Sequence, residues 1–307
     1  MLKTDEPMEL NSKAIDQGYR NCRIATKKFF KGQLWCINNL PGDQRKGIDP
    51  LLFLLMRTIG MLDLGSADGS SLDVWQEMRD DVNNAFNDQC ASEELAALVD
   101  ASRKFDVPKQ HLIDPSQSAE QWSQNKKFKT FKELESFCSS IGGSALVAAM
   151  PVLGVIKPDY EDDAMRCGKA IMLTMILANC VNDMKLNKVF IAEEDLDDCE
   201  VDVQLLKLRR PSKSLQYLAR LYVTRIERML MDSRRLVQHL DFDGKRSLKS
   251  LLALVWNLLV KMKVEPECIL NEEGVLSGRE LLWLKSRHLM GIETGLPIIE
   301  DAPEDHH

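Results

Sequence analysis

Apolar residues recur along this chain at three- and four-residue intervals nearly everywhere. Residues 248–262 (LKSLLALVWNLLVKM) carry the pattern most densely: Leu248, Leu251, Leu252, Val255, Leu258, Leu259 and Met262 fall on one helical face. Leu254, Trp256 and Val260 add apolar groups on the other side, so this helix is expected to be buried nearly all round. No alternating runs flanked by Asn-Gly or Asp-Gly occur, so no sheet is expected. Helices are predicted over roughly 12–38, 43–63, 70–86, 92–105, 108–114, 130–155, 159–187, 193–198, 212–239, 244–263 and 278–290. Breaks are expected at Leu40-Pro41-Gly42, Gly65 to Gly69, Pro108, Pro115, Pro151, Pro158, Pro211 and the 264–277 stretch. Many medium helices without a sheet, a repeat or a shift in composition predict an all-α chain. Residues 1–300 are expected in a single helical domain, and the acidic tail 301–307 is expected to be loose.

Composition narrows the functional classes. Apolar residues make up 44% of the 307 and charged residues 28%, which is globular usage. A net charge of −7 argues against a dedicated nucleic-acid binder. Eight cysteines are scattered without a CxxC pair, which speaks against zinc and for buried reduced thiols. The start, MLKTDEPMEL, has no basic-then-apolar leader, so a cytoplasmic location is expected. The longest apolar stretch, Gly142 to Ile156, spans about 15 residues and is expected to be too short to cross a bilayer; peripheral membrane contact stays open.

Candidate chemistry is sparse. The acids Glu193, Glu194, Asp195, Asp197, Asp198, Glu200 and Asp202 read more readily as a solvated helix start than as a metal site. Asp241-Phe242-Asp243-Gly244 lacks calcium-loop spacing and reads as a turn that starts a helix. Two basic patches, Lys126/Lys127/Lys129/Lys132 and Lys207/Arg209/Arg210, could meet phosphate or an anionic surface, although solvated loop charge is the commoner outcome. The five histidines have no ligand spacing, and no nucleophilic triad or phosphate loop is present.

Several phrases, in their order, resemble the squalene/phytoene synthase family. Phe29-Phe30 precedes Leu40-Pro41 and Arg45, and the next helix reads LLFLLMRTIGMLDLG with Arg57 at the family's arginine. Trp75 to Arg79 stands where the family has a Trp-Arg pair, with wider spacing. FKTFKELESFCSSIGGS (128–144) is similar to the family's Tyr-Cys and glycine helix, and 167–196 (CGKAIMLTMILANCVNDMKLNKVFIAEEDL) to its second acidic helix. The resemblance extends over roughly residues 20–290. It implies a single helical-bundle isoprenoid-synthase (terpenoid synthase) fold around a central apolar cavity. It also implies head-to-head condensation of prenyl diphosphates, with two acid-rich helices holding Mg²⁺ against the diphosphate. A multiply charged leaving group needs such Lewis acidity, and the apolar cavity keeps water from a carbocation.

The chain departs from the pattern at the residues that carry this chemistry. Gly60, Met61 and Leu64 stand where the first helix has acids, leaving Asp63 nearby. In the second motif Met172, Met175, Ala178-Asn179 and Asn182 replace Gln, Asn, Arg-Asp and Glu, and Asp183 keeps its carboxylate. Phe137 replaces the tyrosine, while Arg57, Gly142, Gly143, Gly168, Thr174 and Asp183 survive. The resemblance therefore makes Arg57, Asp63 and Asp183 the candidate catalytic residues. Phe137, Gly142, Gly143, Met172, Thr174, Met175 and Asn179 are the candidate ligand contacts, and Asp63, Asn179 and Asp183 a weak metal set, with Mg²⁺ the cofactor if the protein is active.

Three readings stand. The first is a divergent member that has lost Mg²⁺-dependent diphosphate ionisation and binds a prenyl or other lipid ligand, or a protein partner. The second is an active prenyltransferase or terpene synthase acting on farnesyl or geranylgeranyl diphosphate with an atypical site. The third is a helical scaffold unrelated to isoprenoids, since fold does not fix function. An open cavity would favour a ligand; one filled by Met61, Met172 and Met175 would leave protein interaction.

Overall fold

In the computed structural model the described residues are 11–30, 33–64, 71–125, 127–272 and 274–289. Residues 1–10, 65–70, 126 and 290–307 lie outside them, and with them the expected break at Gly65 to Gly69 and the expected loose tail, as does the side chain of Asp63.

Thirteen α-helices are described: α1 (Ser12–Phe29), α2 (Gly42–Leu64), α3 (Ser71–Phe86), α4 (Glu93–Phe105), α5 (Gln110–Asn125), α6 (Phe131–Cys138), α7 (Ser144–Leu153), α8 (Glu161–Lys185), α9 (Glu193–Asp198), α10 (Val203–Lys207), α11 (Lys213–Asp232), α12 (Phe242–Val264) and α13 (Gly278–Leu289). Short 3-10 segments occupy Leu34–Asn39, Arg234–His239 and Pro266–Leu270, and a π-helical turn, Ser139–Gly143, joins α6 to α7. The described residues form no strand, only two isolated bridges, Phe128 to Ala192 and Val155 to Leu240.

Local chemistry sets most helix starts. Asn11, Ser92, Thr130, Ser212 and Asp241 each accept from the backbone N–H three residues on, satisfying a donor that the helix leaves open. Asp241 thus starts α12 at Phe242, as the turn reading expected, though slightly earlier in the chain. Ser277 and Glu280 bond reciprocally at the start of α13, a capping box.

Several expected boundaries are corrected. The first helix stops at Phe29 and the chain resumes as a separate 3-10 segment. Pro115 does not end its helix, and α5 continues to Asn125. There the Ser116 and Ser123 hydroxyls donate to the carbonyls of Ile113 and Glu120, three residues back. The 130–155 helix is interrupted by the π turn, and α10 and the 266–270 segment were not expected. Phe131–Leu153 taken together is 23 residues, long and apolar enough to cross a bilayer by length and composition, as is Glu161–Lys185. The 15-residue limit read from the sequence therefore understates the helix. Both are core helices, with 61% and 56% of their most apolar windows buried inside the protein.

The principal apolar core draws buried side chains from every helix from α2 to α13. Within α12, Leu248, Leu252, Val255, Leu259 and Met262 are buried as expected, while Val260 is 42% exposed, so the apolar face is wide but not complete. All eight cysteines are buried and free. Burial pushes their thiols up, Cys167 and Cys180 to about 12 and Cys268 to about 11, which leaves them inert at neutral pH.

The acidic cluster is a clasp more than a solvated end. Asp195 is buried and accepts from Tyr222 Oη at 2.8 Å and from Arg225 Nη1 at 2.8 and 2.9 Å. Glu193 pairs with Lys127 at 2.7 Å, and Glu194 accepts from the Phe131 N–H at 2.5 Å. Tyr222 Oη also accepts from the Ala192 N–H, so one tyrosine ties the start of α9 to α11.

Candidate functional site

A cavity of about 540 Å³ lies between α2, α7, α8, α12 and the end of α1. Its α2 wall is a ladder, Ile48, Leu52, Leu55, Ile59 and Leu62, set at the three- and four-residue spacing that keeps one helix face inward. The facing α8 wall presents Gly168, Ile171, Met172, Met175, Ile176 and Asn179, then Asn182, Asp183 and Leu186. From Gly168 to Leu186 that wall runs about 27 Å at ~1.5 Å per residue. Ala145, Leu146, Ala149 and Leu153 of α7 and Ser247, Leu248 and Leu251 of α12 contribute the remaining sides. Phe29, Asn179, Asn182 and Leu186 are solvent-exposed lining residues.

Two helices meet unusually closely at this wall. A Cβ on Gly142 would collide with the Gly168 carbonyl and lie 2.6 Å from Met172 Cβ, and one on Gly168 would collide with the Gly142 carbonyl. Gly143 packs in the same way on Met165. The paired glycines and the π turn let the two backbones touch, which fixes the α7–α8 angle that forms the cavity.

The residues singled out in the sequence are not all gathered there. Gly142, Met172, Met175, Asn179 and Asp183 line the cavity. Met172 and Met175 are half-buried and leave it open, and Met61 packs on the core without entering it. Thr174 does not line it; it is fully buried and donates to the Ala170 carbonyl at 2.8 Å. Gly143 and Phe137 also stand behind the lining. Phe137 belongs to an aromatic group with Trp122, Phe128 and Phe190, of which Phe190 reaches the cavity and stacks on Trp122 at 4.5 Å. Arg57 is half-buried outside the lining, and its charge is felt by Asp81 of α3. Burial pushes the Asp81 carboxyl up, and Arg57 opposes the shift. Asp63 falls in the last turn of α2, one residue beyond Leu62, with its side chain outside the description.

The polar lining consists of Gln33, Asn179, Asn182, Asp183 and Ser247. The Asn179 amide donates to the Met175 carbonyl at 2.9 Å. Ser247 is buried, and its hydroxyl has no hydrogen-bond partner among the described residues. Sequence reasoning missed Ser247, Phe190 and the α2 ladder. The ladder's spacing is visible in the sequence, but core and cavity wall share the same periodicity.

The described donor set is poor for a Mg²⁺–diphosphate site. Each Mg²⁺ takes six oxygens in near-octahedral geometry, one or two from carboxylates and the rest from waters and substrate phosphates, so a cluster of several ions draws on more than one carboxylate. Among the described lining residues Asp183 is the one carboxylate and none is lysine or arginine. Nor do the described residues hold any group of three His, Cys, Asp or Glu side chains arranged for a metal.

Comparison with known proteins gives consistent likenesses. A family model described as squalene/phytoene synthase matches residues 35–280. The 15-cis-phytoene synthase of Synechocystis sp. is 22% identical over 88% of this chain and 84% of its own length. The phytoene synthase of Mycobacterium tuberculosis is 23% identical over 95% of this chain and 97% of its own. Among solved structures, a dehydrosqualene synthase in complex with ligand superposes with a TM-score of 0.78 at 17% identity, covering 91% of this chain and 98% of that one. A squalene synthase from Alicyclobacillus acidocaldarius superposes at 0.73 with 13% identity, covering 83% and 97%. At these identities the superpositions establish the fold.

Proposed function

Because the chain belongs to the squalene/phytoene synthase family, we propose that its cavity holds a neutral isoprenoid or comparable lipid chain, without the Mg²⁺-assisted ionisation of prenyl diphosphates usual in the family. The observation that carries this reading is the lining: a 540 Å³ apolar space with one carboxylate and neither lysine nor arginine among the described residues. Its volume falls within the ~300–1,000 Å³ range of small-molecule sites. Burial of a hydrocarbon chain against the α2 ladder and the α8 methionines supplies binding at about 25 cal/mol per Å². A diphosphate would instead bring several negative charges beside Asp183 with no described cation to offset them, and burying uncompensated charge is costly. Asn179, Asn182 and Asp183 together suit an uncharged hydroxyl or carbonyl, since amides both donate and accept.

The test separates binding from chemistry. Purified protein is incubated with farnesyl and geranylgeranyl diphosphate and Mg²⁺, and released diphosphate is measured. Release at background is expected; release that Asp183→Ala abolishes would overturn the proposal. Geranylgeraniol should raise Tm equally with and without Mg²⁺, since ligand at a hundredfold its Kd adds about 2.7 kcal/mol to the folded state.

A further inference from the structure

Exposed apolar side chains and cations gather around the mouth of the cavity. Phe29 and Leu186 both line it and are 44% and 46% exposed, so each presents apolar surface to the cavity and to solvent at once. Leu208, 64% exposed, adds a third apolar side chain in the turn that ends α10. That turn lies against the end of α8: Lys207 Nζ donates to Asn187 Oδ1 at 3.4 Å, and Glu272 accepts from Lys185 at 2.9 Å and from Arg209. Exposed apolar groups collected in one place mark an interaction surface.

The charges among them are mostly positive. Lys27 and Lys28 stand immediately before Phe29 at the end of α1, and Lys207, Arg209 and Arg210 flank Leu208. All five are exposed and outside the cavity lining. The described acids of these segments are Asp183, inside the lining, and Glu272, which Lys185 and Arg209 already engage. The whole chain carries a net charge of −7, so a local surplus of cations orients the molecule. An anionic leaflet attracts these cations within about a Debye length and repels the rest of the surface, which turns the mouth toward the bilayer.

A bilayer fits this face better than an acidic protein does. The apolar tips border an opening that a protein partner would close. An isoprenoid chain prefers hydrocarbon to water, and a mouth seated in the leaflet spares the ligand an aqueous crossing.

We propose that the cavity mouth docks on an anionic bilayer, with Phe29, Leu186 and Leu208 entering the leaflet and Lys27, Lys28, Lys207 and Arg210 meeting its headgroups, so that the neutral lipid passes directly between bilayer and cavity. This rests on the reading of the cavity as a neutral-lipid site, and deepens it by naming the surface from which the lipid comes. The lysine and arginine stems lie along the apolar boundary while their charges stay among the headgroups. Attachment is peripheral and weakened by salt.

The experiment sediments the full chain with vesicles of phosphatidylcholine alone and of phosphatidylcholine with about 30% phosphatidylserine. The anionic vesicles are expected to bind about tenfold more tightly or better, and about 1 M salt, where the Debye length is ~3 Å, should abolish the difference. Lys207→Gln combined with Arg210→Gln should weaken anionic attachment about 25-fold, each cation contributing about fivefold (~1 kcal/mol). Leu208→Gln should weaken attachment about fivefold at low and moderate salt alike, because apolar insertion is not screened. Equal attachment to both vesicles, or attachment that these substitutions leave unchanged, would overturn the docking face. Soluble polyglutamate bound as tightly as the anionic vesicles, with Leu208→Gln matching the native chain, would point to an acidic protein and overturn the bilayer. Geranylgeraniol that raises Tm in solution without any vesicle attachment would overturn the docking face and leave the lipid site intact. Vesicle attachment without a response to geranylgeraniol would overturn the lipid site and, with it, the passage of lipid through this face.

Discussion

At the scale of single residues, burial decides which charges carry consequences. Asp49 of α2 is 4% exposed, with Arg23 Nη1 at 3.0 Å and Thr26 Oγ1 at 3.4 Å. Burial pushes its carboxyl above the usual aspartate value, and the Arg23 charge only partly opposes the shift. The folded state therefore holds this proton more tightly than the unfolded chain does. The stabilising contribution is fully present below the ordinary aspartate pKa and is lost as pH rises through the raised folded value. Asp49→Asn is accordingly expected to flatten this part of the pH dependence, reducing the gain in urea midpoint that Asp49 contributes as pH falls from 7 toward 4. A variant whose pH profile matches the native one would show that Asp49 titrates normally. Neither Asp49 nor Asp195 was legible as buried in the sequence. The acids 193–202 read as solvated because the partners of Asp195, Tyr222 and Arg225, lie 27 and 30 residues further on. Pairing at that range has no local signature.

At the scale of elements, starts were legible and interruptions were not. A capping side chain and the N–H it satisfies lie three residues apart, so Ser92, Thr130, Ser212 and Asp241 announce their helices locally. The π turn at Ser139–Gly143 is different, because its reason is the opposing helix: Gly142 and Gly168 press backbone on backbone. The glycines were visible in the sequence as survivals of a family phrase, but their contact with each other was not. Gly168→Ala would place a methyl group against the Gly142 carbonyl and 2.8 Å from Gly143 Cα, neither of which is a flexible side-chain end. Overpacking of this kind costs about 1–3 kcal/mol, and here the upper end is expected because backbone must move. A urea midpoint within error of the native value would mean that α7 and α8 can separate without loss. Since Gly142 and Gly168 both line the cavity, geranylgeraniol binding should fall in the same variant.

At the scale of the molecule, the cavity and the stability of the fold are one problem. The fold class was legible because helical periodicity and ordered family phrases run through most of the chain, and the resemblance implied the central cavity; which residues line it was not legible, because a lining leucine and a core leucine obey the same spacing. The cavity opens to solvent at Phe29, Asn179, Asn182 and Leu186, so water wets its mouth. Apolar surface held against water is unfavourable, and a hydrocarbon chain or added side-chain volume that covers it is stabilising. Ala149 of α7 is half-buried and faces the cavity, where added volume meets open space. Ala149→Phe is expected to raise the Tm of the ligand-free protein by about 2–4 °C, corresponding to ~1 kcal/mol. The same substitution should weaken geranylgeraniol binding at least tenfold, because the ring and the ligand claim one volume. Stability and binding thus move in opposite directions, a pattern that neither a misfolded variant nor a surface-bound ligand can produce. Binding that survives a stabilised Ala149→Phe would place the ligand outside the cavity.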